Sequence, residues 1–179
     1  MENIECEERV LLTFAQYHLI LKHYVSLYPN HYRYFKNTNI YLDDQNHTVL
    51  NSSSMLRIRR IDNKKEELTL KIKQENGDLE INETLENHPT IDKYLSVPFS
   101  SLKPITTLKT TRVEIDIDDY MVVIDMNTYN GIIDFDLEIE AKTQERAKEI
   151  ILSICEKYKI EYKNAYPSKS RRAFASIKK

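Results

Sequence analysis

The sequence predicts an α+β fold in which antiparallel strands close into a barrel and amphipathic helices cover its outside. Apolar and charged residues alternate along several segments, such as Leu68–Lys73 and Ile132–Ala141, which is typical of strands with one apolar and one charged face. Two other segments, Phe14–Tyr28 and Ala147–Tyr158, carry apolar residues at helical spacing. Closing the sheet would remove its exposed edges. The apolar faces would then point outward onto the helices, and the charged faces would line a lumen.

The first third of the chain predicts a strand, a helix and a second strand. Thr13 and Gln16 have the spacing of a capping box, and Pro29 follows the last apolar residue of the helical pattern. A Tyr-, Phe- and Ile-rich segment then indicates a strand, and an Asn- and Ser-rich stretch indicates a loop with room for a helical turn. The predicted order is strand Ile4–Val10, helix from Thr13 to Pro29, strand Tyr32–Asp43 and loop Asp44–Ser54.

The rest of the chain predicts six more strands and two helices. Asn76-Gly77 is a favoured hairpin dipeptide and joins two of the strands. Thr143 is suited to cap the last long helix, which leads into a basic tail from Lys157 onward. The predicted order is three strands between Met55 and Asn82, a short helix at Asn87–Leu95, a connecting loop bounded by Pro98 and Pro104, strands Leu108–Asp118, Tyr120–Asn127 and Ile132–Ala141, and the final helix.

Composition excludes two common phosphate-binding devices. The 179 residues include 26 Lys and Arg against 28 Asp and Glu, for a net charge of −2, and only two glycines, Gly77 and Gly131. Two glycines cannot build a dinucleotide-binding turn or a P-loop, so any phosphate must be held by side chains. The absence of a basic excess argues against bulk affinity for nucleic acid, and we expect no nucleic-acid partner.

The cysteines and the first residues indicate a reducing, cytoplasmic setting. Cys6 and Cys155 lie far apart and fit neither a zinc motif nor a disulfide framework. The segment Met1–Arg9 is charged where a signal peptide would be apolar, and no run approaches the roughly 18 apolar residues of a membrane span. We therefore expect no membrane partner.

The charged faces carry like charges in pairs. Arg57 with Arg59 and Lys71 with Lys73 are basic pairs two residues apart, whereas Glu138 with Glu140 is an acidic one. A solvated outer surface would explain each strand by itself, but neighbouring like charges repel and gain nothing from folding. Clustering is explained better if ligands of opposite charge occupy the site. Basic strands could hold several phosphates, and carboxylates could hold Mg²⁺ or Mn²⁺, which prefer oxygen ligands.

Short motifs, most of them charged, follow one another along the chain. One is Glu5-Cys6-Glu7-Glu8-Arg9, and another is Arg57-Ile58-Arg59. The other segments are Asn39–Asp43, Leu68–Lys71, Glu80–Asn82, Thr110–Arg112, Ile124–Tyr129, Asp134–Glu140 and Ser168–Arg172. In this order they resemble the motifs of the CYTH, or triphosphate tunnel metalloenzyme, superfamily, and most closely its small bacterial members related to thiamine triphosphatases. The first two have their counterparts in the E-x-E-x-K and R-x-R motifs of that family.

The resemblance implies one domain over residues 1–179, an eight-stranded antiparallel tunnel that binds a triphosphate and uses Mg²⁺ or Mn²⁺. The implied metal ligands are Glu5, Glu7, Asp125, Glu138 and Glu140. The implied phosphate ligands are Arg57, Arg59, Lys71, Arg112 and Lys169, and by alternation Lys73, Glu80 and Arg171 share the inward face. The residues expected to take part in catalysis are Glu5, Glu7, Arg9 and Lys71.

One residue departs from the family pattern, because Arg9 stands where the family has lysine. Arginine keeps the positive charge but has a planar fork of donors and does not readily release a proton. Phosphate binding should therefore survive better than any step that needs the lysine.

The leading functional hypothesis is metal-dependent hydrolysis of a terminal phosphoanhydride by water that attacks in line. Inorganic triphosphate, thiamine triphosphate and a nucleoside triphosphate all stay open as substrates. Two alternatives use the same site: adenylate cyclase activity of the class IV type, and non-catalytic binding of triphosphate or polyphosphate. We expect the protein to be a monomer or a homodimer.

Overall fold

The computed structural model describes residues 2–62, 65–75, 77–163 and 166–177, without the side chains of residues 2–5 and 65. Strands are numbered β1 to β8 and α-helices α1 to α5 within this part of the chain. The strands are β1 (Glu2–Leu12), β2 (Tyr32–Asp43), β3 (Ser54–Ile61), β4 (Lys65–Gln74), β5 (Gly77–Glu83), β6 (Lys103–Ile117), β7 (Tyr120–Tyr129) and β8 (Ile132–Ala141). The helices are α1 (Phe14–Leu27), α2 (Thr48–Asn51), α3 (Pro89–Tyr94), α4 (Gln144–Tyr158) and α5 (Lys169–Ala175).

The eight strands form a closed antiparallel barrel in the order β1-β5-β4-β3-β2-β6-β7-β8. The first strand closes it, since residues Glu2–Glu5 pair with β5 and residues Cys6–Leu12 pair with β8. The predicted α+β fold with a closed eight-stranded barrel is therefore confirmed.

Strand register determines which charged residues face each other inside the barrel. Arg9 on β1 lies opposite Glu138 on β8, and Glu7 lies opposite Glu140. Arg112 on β6 likewise lies opposite Asp125 on β7. Because side chains alternate between the two faces of a strand, these pairs point into the same lumen.

The outer face of the barrel is apolar and is covered by helices. Helices α1 and α4 pack on one side, where Ile20 and Ile151 are fully buried together with Ile139 of β8. Helix α3 covers the opposite side through Ile91. Each such side chain contributes about 1.5–3 kcal/mol by leaving water. None of the helices in the described ranges has both the length and the apolar character needed to cross a bilayer.

Helices α1 and α4 begin where the capping residues predict. The Thr13 amide donates to Gln16 Oε1 at 2.9 Å, and the Gln16 amide donates to Thr13 Oγ1 at 3.2 Å, which completes the capping box. The Arg146 amide donates to Thr143 Oγ1 at 3.2 Å. These bonds satisfy amides that a helix N-terminus leaves without partners.

One of the predicted connections differs from that in the structure. Strand β6 begins at Lys103, so Pro104 lies inside a strand and not in a loop. Pro104 pairs with Leu42 beside a register shift, where the ladder tolerates a residue that has no amide hydrogen. The predicted loop at Asp44–Ser54 does contain a helical turn, which is helix α2. Of the predicted turn residues, Gly77 opens β5, whereas Asn76 lies outside the described residues.

Helix α5 lies in the basic tail, for which the sequence predicts no helix. Ser168 caps it by accepting from the Arg171 amide at 3.3 Å. Ala173 is fully buried in a small apolar cluster with Tyr41, Leu108 and Tyr129. Since these partners come from three different strands, the helix is stabilised by tertiary packing that its short sequence does not reveal.

Candidate functional site: a charged cavity in the barrel

The lumen contains a cavity of about 650 Å³ that is lined mainly by charged side chains, and we call it the open cavity. Each basic residue that the sequence analysis assigned to phosphate binding or catalysis lines it. These basic residues are Arg9, Arg57, Arg59, Lys71, Lys73, Arg112, Lys169 and Arg171. The acidic lining residues are Glu7, Glu8, Glu75, Asp78, Glu80, Glu114, Glu138 and Glu140.

Three carboxylates lie close enough to share one cation, and we call them the acidic cluster: Glu7, Glu138 and Glu140. One oxygen from each lies within 4.8 Å of the others. Glu138 is the most deeply buried, at 2% exposure, and its Oε1 is buried without a hydrogen-bond partner. Three oxygen donors, one with an unused buried lone pair, suit a hard divalent cation such as Mg²⁺ or Mn²⁺. The side chain of Glu5, the remaining β1 residue expected here, lies outside the described residues.

Asp125 is not part of the acidic cluster. It is fully buried, and both of its oxygens are occupied by Arg112, whose Nε and Nη2 donate to them at 2.9 and 2.8 Å. Lys169 Nζ also contacts Asp125 Oδ2. Among the described residues, then, Asp125 is an anchor for two cations that line the cavity and does not itself line it.

Arg112 and Lys169 also reach the acidic cluster. Arg112 Nη2 and Lys169 Nζ each donate to Glu138 Oε2 at 3.1 Å. The two cations therefore bridge the buried anchor Asp125 and a carboxylate of the open cavity. Such charge-assisted bonds fix both side chains in the lumen before any ligand arrives.

The opposite wall holds cations with longer and weaker contacts. Lys71 Nζ lies 3.3 Å from Glu7 Oε1 and 3.5 Å from Asp78 Oδ2. Arg57 lies 3.5 Å from Glu80, and Arg59 lies 3.9 Å from the same residue. The Nε atoms of both arginines are buried without hydrogen-bond partners. This wall therefore offers hydrogen-bond donors to an entering anion.

Two further cations lie at the rim of the cavity. Lys73 of β4 and Arg171 of α5 line it but are exposed to solvent. Exposed cations are strongly hydrated and screened by salt, so they attract anions from a distance more than they fix them in one geometry.

The charges in the cavity stabilise one another. Burial alone would raise the pKa of Glu138, but Lys169, Arg9 and Arg112 hold it well below its usual range. Burial likewise favours neutral Lys169, but Asp125 and Glu138 raise the pKa of its amine. Burial also raises the pKa of Glu7, and Arg9 and Lys71 more than offset this. At neutral pH all of these groups are ionised.

Nearer the start of β8 lies a second charged network, which we call the closed end: Asp134, Asp136 and Arg172, with Tyr129 and Asn127. Arg172 Nε donates to Asp134 Oδ2 at 2.8 Å, and its Nη2 donates to Asp136 Oδ2 at 2.6 Å. The Tyr129 hydroxyl donates to Asp134, and Asn127 Nδ2 donates to Asp136 at 2.7 Å. None of these five side chains lines the open cavity.

The sequence did not identify Arg172 as a functional or structural residue. Lys169 and Arg172 are three residues apart on α5, and that spacing places both side chains on one face of a helix. This spacing is the signal that could have paired them, had the helix been predicted. Arg172 fastens the helix that carries Lys169 into the lumen.

Glu8 is the one charged residue on the otherwise apolar side of the β1 pattern, and the structure explains it. Gln144 Nε2 donates to Glu8 Oε1 at 2.7 Å and to the Glu7 carbonyl at 3.1 Å. The Tyr162 hydroxyl donates to Glu8 Oε2 at 2.9 Å. Glu8 therefore ties β1, with its inward Glu7 and Arg9, to the start of α4 and the segment after it.

Comparison with known proteins agrees with this fold. The chain is similar in structure to a Bacillus halodurans protein described as a candidate adenylate cyclase, with a TM-score of 0.81 and 25% sequence identity over 97% of this chain and 98% of that one. It is also similar to HpAC1 from Hippeastrum, a candidate adenylyl cyclase described as having a dominant triphosphatase activity (TM-score 0.78, 20% identity, 98% and 96% coverage). A third similar structure is the PH1012 protein of Pyrococcus horikoshii OT3 (TM-score 0.63, 18% identity, 95% and 99% coverage).

The sequence itself carries the family assignment. No match was found among proteins with curated functions. The family model of the CYTH domain matches residues 3–174, which include each strand of the barrel and most of α5. With a match over nearly the whole chain and a barrel of the same architecture, this protein belongs to the CYTH domain family.

Proposed function

We propose that this protein is a metal-dependent triphosphatase that hydrolyses a terminal phosphoanhydride inside the open cavity. The observation that carries the proposal is the arrangement of charges in the lumen. Eight Arg and Lys side chains and an acidic cluster line one cavity of about 650 Å³. Cationic side chains and carboxylate oxygens in one cavity are what a polyphosphate and a divalent cation require together.

The basic side chains would bind and orient the polyanion. Arg112 and Lys169 are held in place by Asp125, so their positions are fixed before the substrate enters. Arg57, Arg59 and Lys71 have weaker contacts and could move their donors to phosphate oxygens. Preorganised donors stabilise charge that develops in a transition state without having to reorganise at that moment.

The acidic cluster would hold the cation through Glu7, Glu138 and Glu140, and Asp125 would act on it indirectly by fixing Arg112 and Lys169. A divalent cation bound there would supply positive charge to the phosphate oxygens and the leaving group. Glu7 is also suited to accept a hydrogen bond from the attacking water, because its carboxylate is ionised and borders the cavity. Glu5 stays a predicted partner of Glu7 in both roles.

Arg9 would bind phosphate and would not act as a base. Burial disfavours its charged form, but Glu7 and Glu138 raise its pKa above the ordinary arginine value. A guanidinium held in this way keeps its proton throughout the reaction. The chemistry therefore depends on charge stabilisation and positioning, which is the usual situation in phosphoryl transfer.

One specific observation favours adenylate cyclase activity as the second candidate. The Bacillus halodurans protein, which is 25% identical over nearly the full length of both chains, is described as a candidate adenylate cyclase. The same cations could bind ATP and release pyrophosphate. We rank it second because the sequence contains no distinct base-recognition motif for a nucleoside.

A substrate panel tests the proposal. Tripolyphosphate, thiamine triphosphate and ATP are incubated with the protein and Mg²⁺ or Mn²⁺, and the products are separated by chromatography. We expect orthophosphate from at least one of the three. Cyclic AMP and pyrophosphate from ATP, without orthophosphate, would support the cyclase.

Two further measurements identify a module that only binds. Tripolyphosphate that binds tightly in calorimetry without any turnover would contradict the triphosphatase proposal and support a sensing role. In that case Arg9→Lys, which restores the family residue, should be assayed for a gain of activity. A parallel Arg60→Lys variant is the matched control, because Arg60 pairs with Glu66 on the outside of the barrel.

A further inference from the structure

The carboxylates of the acidic cluster already have cationic partners within the protein. Glu7 contacts Arg9 and lies 3.3 Å from Lys71. Glu138 Oε2 lies 3.1 Å from both Arg112 and Lys169. A divalent cation that enters this cluster therefore meets carboxylates whose charge is largely neutralised, and it is repelled by the neighbouring cations.

Among these cations, Arg9 differs in how it is held. Arg112 and Lys169 are anchored by Asp125, which lies outside the acidic cluster. The described ion pairs of Arg9 are with Glu7 and with Glu138, whose Oε1 lies 3.6 Å from Arg9 Nε. Both partners belong to the cluster, so Arg9 bridges carboxylates from two neighbouring strands.

The position of Arg9 follows from the register of β1. Glu7 and Arg9 are two residues apart and face the lumen together, and Arg9 lies opposite Glu138 on β8. The Arg9 side chain is only 15% exposed, so its charge is poorly screened by water. A planar guanidinium can contact two carboxylates at once, whereas the ammonium group of a lysine is a compact point charge.

We propose that Arg9 occupies the place of the cation when no polyanion is bound, and that triphosphate draws the guanidinium away from Glu7 and Glu138. The inference rests on the proposed function and adds a link between the binding of its two ligands. Cation and polyanion then bind with positive coupling, since each favours the arrangement that the other needs. Coupling of this kind is reciprocal, so either ligand raises the affinity for the other.

Arg59 shows that this role does not belong to every cation of the cavity. Arg59 has its ion pairs with Glu67 and Glu80, at 3.9 Å, away from the cluster. Removing the charge of Arg59 therefore changes the total charge of the cavity but leaves the acidic cluster as it is.

Binding of Mn²⁺ alone, measured from the free-ion signal in electron paramagnetic resonance, tests the proposal without any turnover. We expect Arg9→Gln to bind Mn²⁺ at least about tenfold more tightly than the wild type, a difference of about 1.4 kcal/mol in binding free energy. Arg59→Gln is the matched control and should change the affinity less than about threefold. Equal effects of the two variants, or no change in Arg9→Gln, would overturn the inference.

Calorimetry with tripolyphosphate and no metal supplies the second arm. Arg9→Gln should bind tripolyphosphate at least about tenfold more weakly than the wild type, so its affinities for Mn²⁺ and for tripolyphosphate shift in opposite directions. Arg59→Gln should weaken only the binding of tripolyphosphate. If Arg9→Gln fails to fold, Arg9→Lys is the second variant, because it keeps the charge but lacks the planar guanidinium. It should bind Mn²⁺ more tightly than the wild type, by a smaller factor than Arg9→Gln. Unchanged Mn²⁺ affinity in that variant would also count against the inference.

The outcomes separate this inference from the proposed function. A wild-type protein that binds neither Mn²⁺ nor tripolyphosphate would contradict both. A protein that binds both ligands and hydrolyses triphosphate, but whose Mn²⁺ affinity does not respond to Arg9→Gln, would contradict only the role of Arg9.

Discussion

The two ends of β8 contain similar residues in different surroundings. Asp134 and Asp136 belong to the closed end, and Glu138 and Glu140 belong to the acidic cluster. At the closed end, Arg172 meets both carboxylates at 2.6–3.1 Å, and Tyr129 and Asn127 complete the network. At the cluster, the contacts of Glu138 and Glu140 to cations are longer, at 3.1 to 3.9 Å, and both side chains border a cavity. One oxygen of Glu138 and one of Asp136 are buried without a hydrogen-bond partner, so the two ends differ in access and in contact length.

The difference teaches that alternation alone does not distinguish binding residues from structural ones. Four inward carboxylates at two-residue spacing lie in two different surroundings, because one pair contacts packed side chains and the other borders the open cavity. Short contacts with packed side chains stabilise one arrangement, whereas carboxylates that border a cavity are accessible to a ligand. We expect substitutions at the closed end to affect stability and those in the open cavity to affect activity.

The largest expected effect is loss of stability at the closed end. Arg172→Met would leave the buried Asp136 and the half-buried Asp134 without their cation, which costs about 3–5 kcal/mol. Urea unfolding measures the free energy of unfolding. A loss below about 1 kcal/mol would mean that α5 is not fastened by this network.

The next effect concerns activity and is expected in the open cavity, not at the closed end. Lys71→Met removes one phosphate-binding cation from the open cavity, and we expect phosphate release to fall about 100-fold or more. Its free energy of unfolding should fall less than that of Arg172→Met, because Lys71 lines the cavity, where water can replace its contacts with Glu7 and Asp78. Lys148→Met, on the exposed face of α4, is the control and should retain full activity. Retained activity in Lys71→Met would contradict the expectation that substitutions in the open cavity affect activity.

Much of the fold could be predicted from the sequence because its physical determinants are local. The period of two in Ile132–Ala141 specifies which side chains share a face, and Thr13 with Gln16 marks the start of α1. Inside a barrel with an apolar outer face, every inward residue of such a strand must line the lumen. The basic residues of the open cavity could therefore be named before the structure.

The remaining features depend on contacts between distant segments. The register between β6 and β7 puts Arg112 opposite Asp125, and Arg112 occupies both carboxylate oxygens of Asp125. Alternation within one strand carries no information about this register. Helix α5 has seven residues and is stabilised by packing of Ala173 inside the barrel. Both the anchoring role of Asp125 and the pairing of Arg172 were therefore beyond sequence patterns.

A pH-dependent effect of intermediate size is expected at Asp134. Burial raises the pKa of this carboxyl, but hydrogen bonds from Arg172 and Tyr129 lower it below its ordinary value of 3.8. A group with a lowered pKa stabilises the fold above its ordinary pKa, and that contribution is lost as the pH falls through the folded-state pKa. Asp134→Asn should therefore cost about 2 kcal/mol at pH 7 and progressively less below pH 4.

Unfolding curves of wild type and Asp134→Asn between pH 7 and pH 3 measure this difference. Because other carboxylates titrate in both proteins, their contributions cancel to a first approximation. A difference that stays constant or grows toward pH 3 would contradict the assigned charge pairing.

The smallest effect is expected from a single hydroxyl at the closed end. Tyr129→Phe removes the hydrogen bond to Asp134 and keeps the ring in its apolar cluster. We expect a loss of about 1 kcal/mol in the free energy of unfolding and unchanged phosphate release. A strong loss of activity would show that the closed end takes part in the chemistry and would remove the distinction between the two ends.

The central claim is that triphosphate and cation bind together in the open cavity. A crystal structure of the protein with tripolyphosphate and Mn²⁺, with anomalous scattering to locate the metal, tests this most directly. We predict phosphate oxygens within hydrogen-bond distance of Lys71, Arg112 and Lys169, and an anomalous peak beside Glu7 and Glu138. Tripolyphosphate bound only on the outer surface, with neither anion nor anomalous signal in the lumen, would contradict the account.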